Sequence, residues 1–215
     1  MAAYRVDDTV VWAGTPWFVD GDGTRGGSDW GATGTLKLAK DGQQVSQWSA
    51  IGSAKSVAAP AGPGRYTLDA DLTRDQAYAA LSTRVQAQWS FDSDTDAGAG
   101  TVLPLMAVRF TPHGLDESGG ARFLALTRVD LAVQRAPGAA EATVGPTRLE
   151  VSWDDGVTWH TVKVVATGNG SPAHAYLIAP LRASYATLRA TVAASDGSSV
   201  KQTVTRAFEV NKSLG

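Results

Sequence analysis

Short alternations of apolar and polar residues recur along this chain, and Gly, Pro, Asp and Ser interrupt them at close intervals. Successive side chains of a strand point to opposite faces, so a period of two marks strands that bury one face. Gly34-Thr35-Leu36-Lys37-Leu38-Ala39-Lys40 alternates in this way and ends at Asp41-Gly42, a dipeptide suited to the positive φ angles of a tight hairpin turn. A hairpin is expected there. Arg65 to Leu72, Thr83 to Phe91 and Val102 to Phe110 read as further strands, rich in β-branched or aromatic residues and bounded by turn formers. Only Thr73 to Leu81 invites a helical reading, and it is short. The segments 121–135, 147–153, 158–166, 173–179, 185–194 and 199–210 continue the strand pattern.

Between Phe91 and Leu103 lies Asp92-Ser93-Asp94-Thr95-Asp96-Ala97-Gly98-Ala99-Gly100-Thr101, which has no apolar bulk and reads as a loop or interdomain linker. The pattern therefore predicts an all-β chain of two β-sandwich modules in tandem, residues 1–97 and 98–215. About seven strands at near-regular spacing make the second module immunoglobulin- or fibronectin-like. A length of 215 residues suits two modules, each with a workable core.

Composition narrows the function. Nineteen Lys+Arg against 21 Asp+Glu give a formal charge of -2, and no basic run could neutralise a phosphate backbone, so nucleic acid is not an expected partner. The absence of cysteine excludes a disulfide framework, cysteine catalysis and thiolate metal sites. No apolar run approaches the length of a membrane span, and Met1-Ala2-Ala3 leads into polar Tyr4-Arg5-Val6-Asp7-Asp8 without a signal-peptide core. Either the protein stays inside the cell or the chain is a piece of a longer one.

The sharpest motif is Ser152-Trp153-Asp154-Asp155-Gly156-Val157-Thr158-Trp159. It resembles the Asp box, a hairpin turn of sialidase propellers and other β proteins. In such a turn Asp154 or Asp155 would accept backbone N–H bonds, Gly156 would permit reversed dihedrals, and the Trp159 ring would cover the hairpin. These are roles in shape. One box without a blade-length repeat does not make a propeller.

His113, His160 and His174 stand at no metal-ligand spacing, and no Gly-x-Ser-x-Gly elbow occurs. Asp92, Asp94 and Asp96 alternate like the first ligands of an EF-hand, but Ala97 and Leu103 occupy the places of its Gly and bidentate Glu. The alternatives there are a hydrated acidic linker or a looser calcium site. Asp20-Gly21-Asp22-Gly23 is a weaker candidate of the same kind. No other cofactor is implied. Of seven tryptophans, Trp89 and Trp159 lie in strand patterns and are expected in the core, whereas Trp17 and Trp30 flank the polar stretch from Asp20 to Asp29 and are candidates for stacking on a sugar face.

A family comes into view through a sequence of small motifs: Arg65-Tyr66-Thr67-Leu68, Leu81-Ser82-Thr83, Trp89-Ser90-Phe91-Asp92-Ser93, Leu103-Pro104-Leu105 and the Asp-box turn. They are followed by Ala186-Thr187-Leu188-Arg189-Ala190-Thr191-Val192 with Ala193-Ala194-Ser195-Asp196-Gly197, and then by Val204-Thr205-Arg206-Ala207-Phe208. From about Tyr66 onward this order resembles the C-terminal region of secreted subtilisin-like serine peptidases of actinobacterial type. That family's catalytic motifs, Asp-Thr/Ser-Gly, His-Gly-Thr-His and Gly-Thr-Ser-Met-Ala, do not occur. The resemblance implies an extracellular, non-catalytic accessory region that stabilises, spaces or targets a peptidase domain in the same parent chain. The alternative from the residues alone is a carbohydrate- or surface-polymer-binding sandwich. An independent hydrolase has only the histidines and acidic residues to speak for it.

Overall fold

The computed structural model describes residues 2–13, 17–19, 26–27, 31–52, 54–166 and 173–211, with the backbone alone for Val19, Gly26, Gly27 and residues 96–99. These residues form nineteen strands and no α-helix. Strands β1 (Ala3–Asp7), β2 (Thr9–Trp12), β7 (Lys55–Ala58) and β10 (Asp96–Val102) make a small sheet in the order β10-β1-β2-β7. A second small sheet, in the order β11-β13-β17-β16, is built from Met106–Pro112, Leu126–Arg135, Ala173–Ile178 and Val164–Val165.

The large sheet runs β15-β14-β18-β19-β9-β8-β5-β6. Its N-terminal half holds β5 (Thr33–Lys40), β6 (Gln43–Ser49), β8 (Gly64–Thr73) and β9 (Arg84–Ser93). Its C-terminal half holds β14 (Arg148–Ser152), β15 (His160–Val162), β18 (Tyr185–Ala193) and β19 (Ser199–Asn211), with β12 (Gly120–Arg122) added in parallel to the end of β19. Two-residue strands β3 (Phe18–Val19) and β4 (Gly26–Gly27) pair with each other.

The alternation explains the layers. Along β8, Tyr66, Leu68, Ala70 and Leu72 are at most 4 % exposed and face inward, which turns Thr67, Asp69 and Asp71 to the other face. Val85, Ala87, Trp89 and Phe91 on β9 and Ala186, Leu188, Ala190 and Val192 on β18 repeat the pattern. One core draws on all three sheets: Ala3, Val10 and Trp12 from the first small sheet, Val108, Leu131 and Ala175 from the second, and the inner face of the large one. Up to Val102 the chain thus lays four strands over four, and from Met106 it does so again. The two sandwiches are joined edge to edge where β9 pairs with β19, from Ser90↔Ser199 to Arg84↔Thr205.

The expected hairpin closes with Asp41 at φ 50° and Gly42 at φ 82°, both in the left-handed region that this two-residue turn requires. Thr73 to Leu81 supplies no helix but a single turn, in which Asp75 accepts the backbone N–H groups of Tyr78 and Ala79 at 3.1 Å each. The acidic stretch at 92–101 is not a linker: it ends β9 and forms most of β10, which pairs with β1. The first sandwich therefore runs past the boundary expected at residue 97.

Between the layers, edge strand β11 is tied to the large sheet by two side chains. The Gln202 amide accepts from Val108 N–H at 3.0 Å and donates to Val108 C=O at 2.9 Å, as a neighbouring strand would. The Trp89 indole donates to Met106 C=O at 2.6 Å. Replacing Gln202 with Ala strands both Val108 groups, and a part-buried unpaired polar group costs about 1–3 kcal/mol. Urea unfolding of Gln202→Ala should show that loss, whereas Gln88→Ala on the solvent face should stay within about 0.5 kcal/mol. Equal stability of the two variants would mean that the amide bridge does not hold the layers together.

Candidate functional site

The outer face of the large sheet is polar from end to end. Register places Thr35, Asp71, Gln86, Thr203, Arg189 and Glu150 side by side on six successive strands, β5-β8-β9-β19-β18-β14. A parallel row carries Lys37, Asp69, Gln88 and Lys201. Strands lie about 4.8 Å apart, so the first row extends about 24 Å along the sheet. The twisted sheet folds this face into a concavity of about 580 Å³.

Charge on this face is held in place by neighbours. Arg84 Nε donates to Asp71 Oδ1 at 2.7 Å, and this bond holds the guanidinium further above its ordinary range. Gln86 donates to Asp71 at 3.3 Å and Gln88 to Asp69 at 2.7 Å. Arg189 Nε donates to Glu150 at 2.9 Å, which pushes the Glu150 carboxyl below its usual range.

The Asp-box turn closes one end of the concavity. Ser152 Oγ donates to Asp154 Oδ1 at 2.6 Å and accepts from Gly156 N–H at 2.8 Å. Asp154 also accepts from Thr158 N–H at 2.8 Å and from Thr158 Oγ1 at 2.6 Å. Asp155 (φ 55°) and Gly156 (φ 98°) make the reversal. Asp154 is thus the turn carboxylate, and Asp155 serves differently: it takes a fork from Arg206, with Nη2–Oδ2 at 2.7 Å and Nε–Oδ2 at 3.1 Å. Arg206 sits in a bulge of β19 at φ 56°, its guanidinium 4.6 Å from the centre of the Tyr185 ring. Trp159 is not in the core. It precedes β15, is half-buried, donates to Gly156 C=O at 2.9 Å and lies against Arg189, 3.8 Å from guanidinium carbon to ring centre. Lining the concavity is therefore its position, and its strand-like context concealed this because it stands on the sheet's polar side.

The other sequence candidates lie elsewhere. Asp92 is paired with Arg65 at 3.2 Å, Asp94 accepts from Thr95 N–H at 2.7 Å, and the Asp96 backbone is opposite Asp7 in the β1–β10 ladder, its side chain outside the described residues. A cation at Asp92 would compete with Arg65. Among the described residues no three His, Cys, Asp or Glu side chains gather around one point. Trp17 stacks on Trp12 with centroids 5.7 Å apart and donates to Ala50 C=O at 3.0 Å, so one face and its N–H are already engaged. Trp30 and Asp20-Gly21-Asp22-Gly23 fall outside the described residues. His160 is exposed, His113 is 2.9 Å from Asp130, and His174 meets Tyr176 edge-on with centroids 5.4 Å apart. No described helix is long and apolar enough to cross a membrane.

Two outcomes follow for the turn. Hydrogen bonds from Ser152 and then Thr158 lower the Asp154 carboxyl from 3.8 to about 2. A depressed folded-state value contributes stability that is complete above the unfolded value and lost as pH falls through the folded one, so the hairpin should weaken between about pH 4 and about pH 2. An NMR titration with Asp154 near 4 would show that the bonds do not hold in solution. Trp159→Ala should cost about 1–2 kcal/mol in thermal unfolding, well below the 3–5 of a fully buried ring; a loss in the higher range would place the indole in the core.

No family model matches the chain, and no curated protein matches it at a significant level.

Proposed function

We propose that the chain is a non-catalytic accessory region of a secreted subtilisin-like serine peptidase, one that stabilises, spaces or targets the catalytic domain. What supports the non-catalytic reading is that none of the family's three catalytic motifs occurs in the sequence, and the resolved electrostatics are of a structural kind. Asp154, Asp116 and Glu150 are held below their usual range by hydrogen bonds from Ser152, Ser118 and Arg189 in turn, and Arg84 and Arg206 above theirs by Asp71 and Asp155. In Asp130 and Asp196, burial that would raise the carboxyl is outweighed by hydrogen bonds from Arg128 and from Ser198. Each shift fixes a charge more firmly.

The peptidase setting rests on the motif order. Many of its residues are framework residues: Tyr66, Leu68, Trp89, Phe91, Leu103, Leu105, Leu188, Ala190 and Phe208 are all at most 2 % exposed, whereas Asp155, Trp159 and Arg189 line the concave face. The core positions support a common architecture and by themselves say nothing of a ligand. Stabilising or spacing needs a rigid body, which the shared large sheet supplies. Targeting needs a ligand surface, for which the concave face is suited.

The test is made on the parent protein. The coding sequence upstream of Met1 should contain the peptidase's Asp, His and Ser motifs. Deleting this region should shorten the enzyme's thermal half-life or its retention on insoluble substrate severalfold, with kcat/KM on a short peptide unchanged. An unrelated upstream sequence, or peptide turnover by the purified chain, would overturn the reading.

A further inference from the structure

The geometry points to the concave outer face of the large sheet as a binding site for an extended, neutral glycan segment. This inference is independent of the peptidase reading, since it concerns one face of this chain whatever precedes it. The concavity crosses the joint of the two sandwiches: Asp69, Asp71, Gln86 and Gln88 come from β8 and β9, whereas Arg189, Lys201 and Thr203 come from β18 and β19.

Charge selects the ligand. Arg84 with Asp71, Arg189 with Glu150, and Arg206 with Asp155 form ion pairs. Their fields largely cancel, and what remains on the two rows is Lys37 and Lys201 beside Asp69. A polyanion needs a field of one sign; this surface alternates. It offers instead acceptors and donors closely interspersed, each aimed by a neighbour. Gln86 and Gln88 give one donor to Asp71 and Asp69, which leaves each amide an oxygen and a second N–H. Hydroxyl groups both donate and accept, so a chain of sugar rings can satisfy such a surface, where a hydrocarbon or a simple ion cannot.

Shape selects its length. A row about 24 Å long is too extended for a metabolite and suits several sugar units laid across the strands. The concavity of about 580 Å³ lies in the usual range for ligand sites. Half-buried Trp159, backed by Arg189 at 3.8 Å, places an indole at one end of it. Aromatic rings with a wet, polar edge are favoured where an apolar ligand face meets hydroxyls.

The experiment is isothermal titration of the purified chain with the neutral hexasaccharides of cellulose, xylan, mannan and chitin, and with a hexagalacturonate as the anionic probe. At least one neutral hexasaccharide should bind, with an affinity nearly independent of salt and at least tenfold above that of its disaccharide. Gln86→Ala and Gln88→Ala should each weaken it up to about tenfold, the loss of one hydrogen bond. Thr203→Trp, which fills the concavity from β19, should abolish it. The Gln variants should melt with the wild type, since they lie on the solvent face, and so separate lost binding from lost fold. Failure of every neutral probe to bind, binding that survives both Gln88→Ala and Thr203→Trp, or a preference for hexagalacturonate with steep salt dependence would each overturn the proposal. None of these results depends on what precedes Met1, so a failed glycan site and a failed peptidase reading remain distinguishable.

Discussion

The pairing of β9 with β19 is the constraint on which the rest of the structure depends. Each strand would otherwise be the open edge of a four-stranded layer, with a row of unpaired N–H and C=O groups. Joined from Ser90↔Ser199 to Arg84↔Thr205, they become the middle of one sheet. The inner side of the joint carries Val85, Ala87 and Trp89 beside Gln202 and Val200 into the shared core. Its outer side carries Gln86 and Gln88 beside Thr203 and Lys201 into the concave face. One ladder thus sets both the core's continuity and the site's floor, because in a strand the two faces cannot shift independently.

The same logic explains Arg206. The ladder with β18 slips between Ala186 and Leu188, and Arg206 takes the slack at φ 56°. A non-glycine residue is rarely held there without compensation. Several contacts hold it: its N–H donates to Thr187 Oγ1 at 3.1 Å, its C=O accepts from Ser82 N–H at 2.8 Å, and its guanidinium forks onto Asp155, donates to Gln76 at 3.1 Å and packs on Tyr185. The bulge re-aims a side chain, as bulges do. Here it grips the Asp-box turn and fixes that turn at the rim of the concavity.

How far this architecture could be read from the sequence varies with the kind of information involved. Local signals carried well. Asp41-Gly42 closed its hairpin because two successive positive φ angles admit few residue types, and β8 and β9 followed their period-two patterns. The Asp-box turn was legible because Ser152, Asp154, Gly156 and Thr158 bond within a few residues of one another. Strand β10 was not, since Asp-Ala-Gly-Ala-Gly-Thr-Val has little side chain to mark it and is a strand through its backbone ladder with β1. The partners of β9 and β19 stand more than a hundred residues apart in the chain. Nothing local names such a partner. For the same reason Asp69, Asp71, Gln86 and Gln88 read as an ordinary solvated face until register sets them in rows.

A face assembled at the junction has a physical consequence. In a tandem joined by a flexible linker, the two sandwiches would tumble separately and a ligand crossing both would have to arrest them. Here that ordering is already complete in the free chain, because the β9–β19 ladder fixes the relative positions of Asp71, Gln86 and Arg189. A ligand spanning both halves would add to a preformed surface and stabilise the joint, since it favours the state in which they are paired. A substitution that loosens the ladder would therefore disturb the shared core and the concave face together.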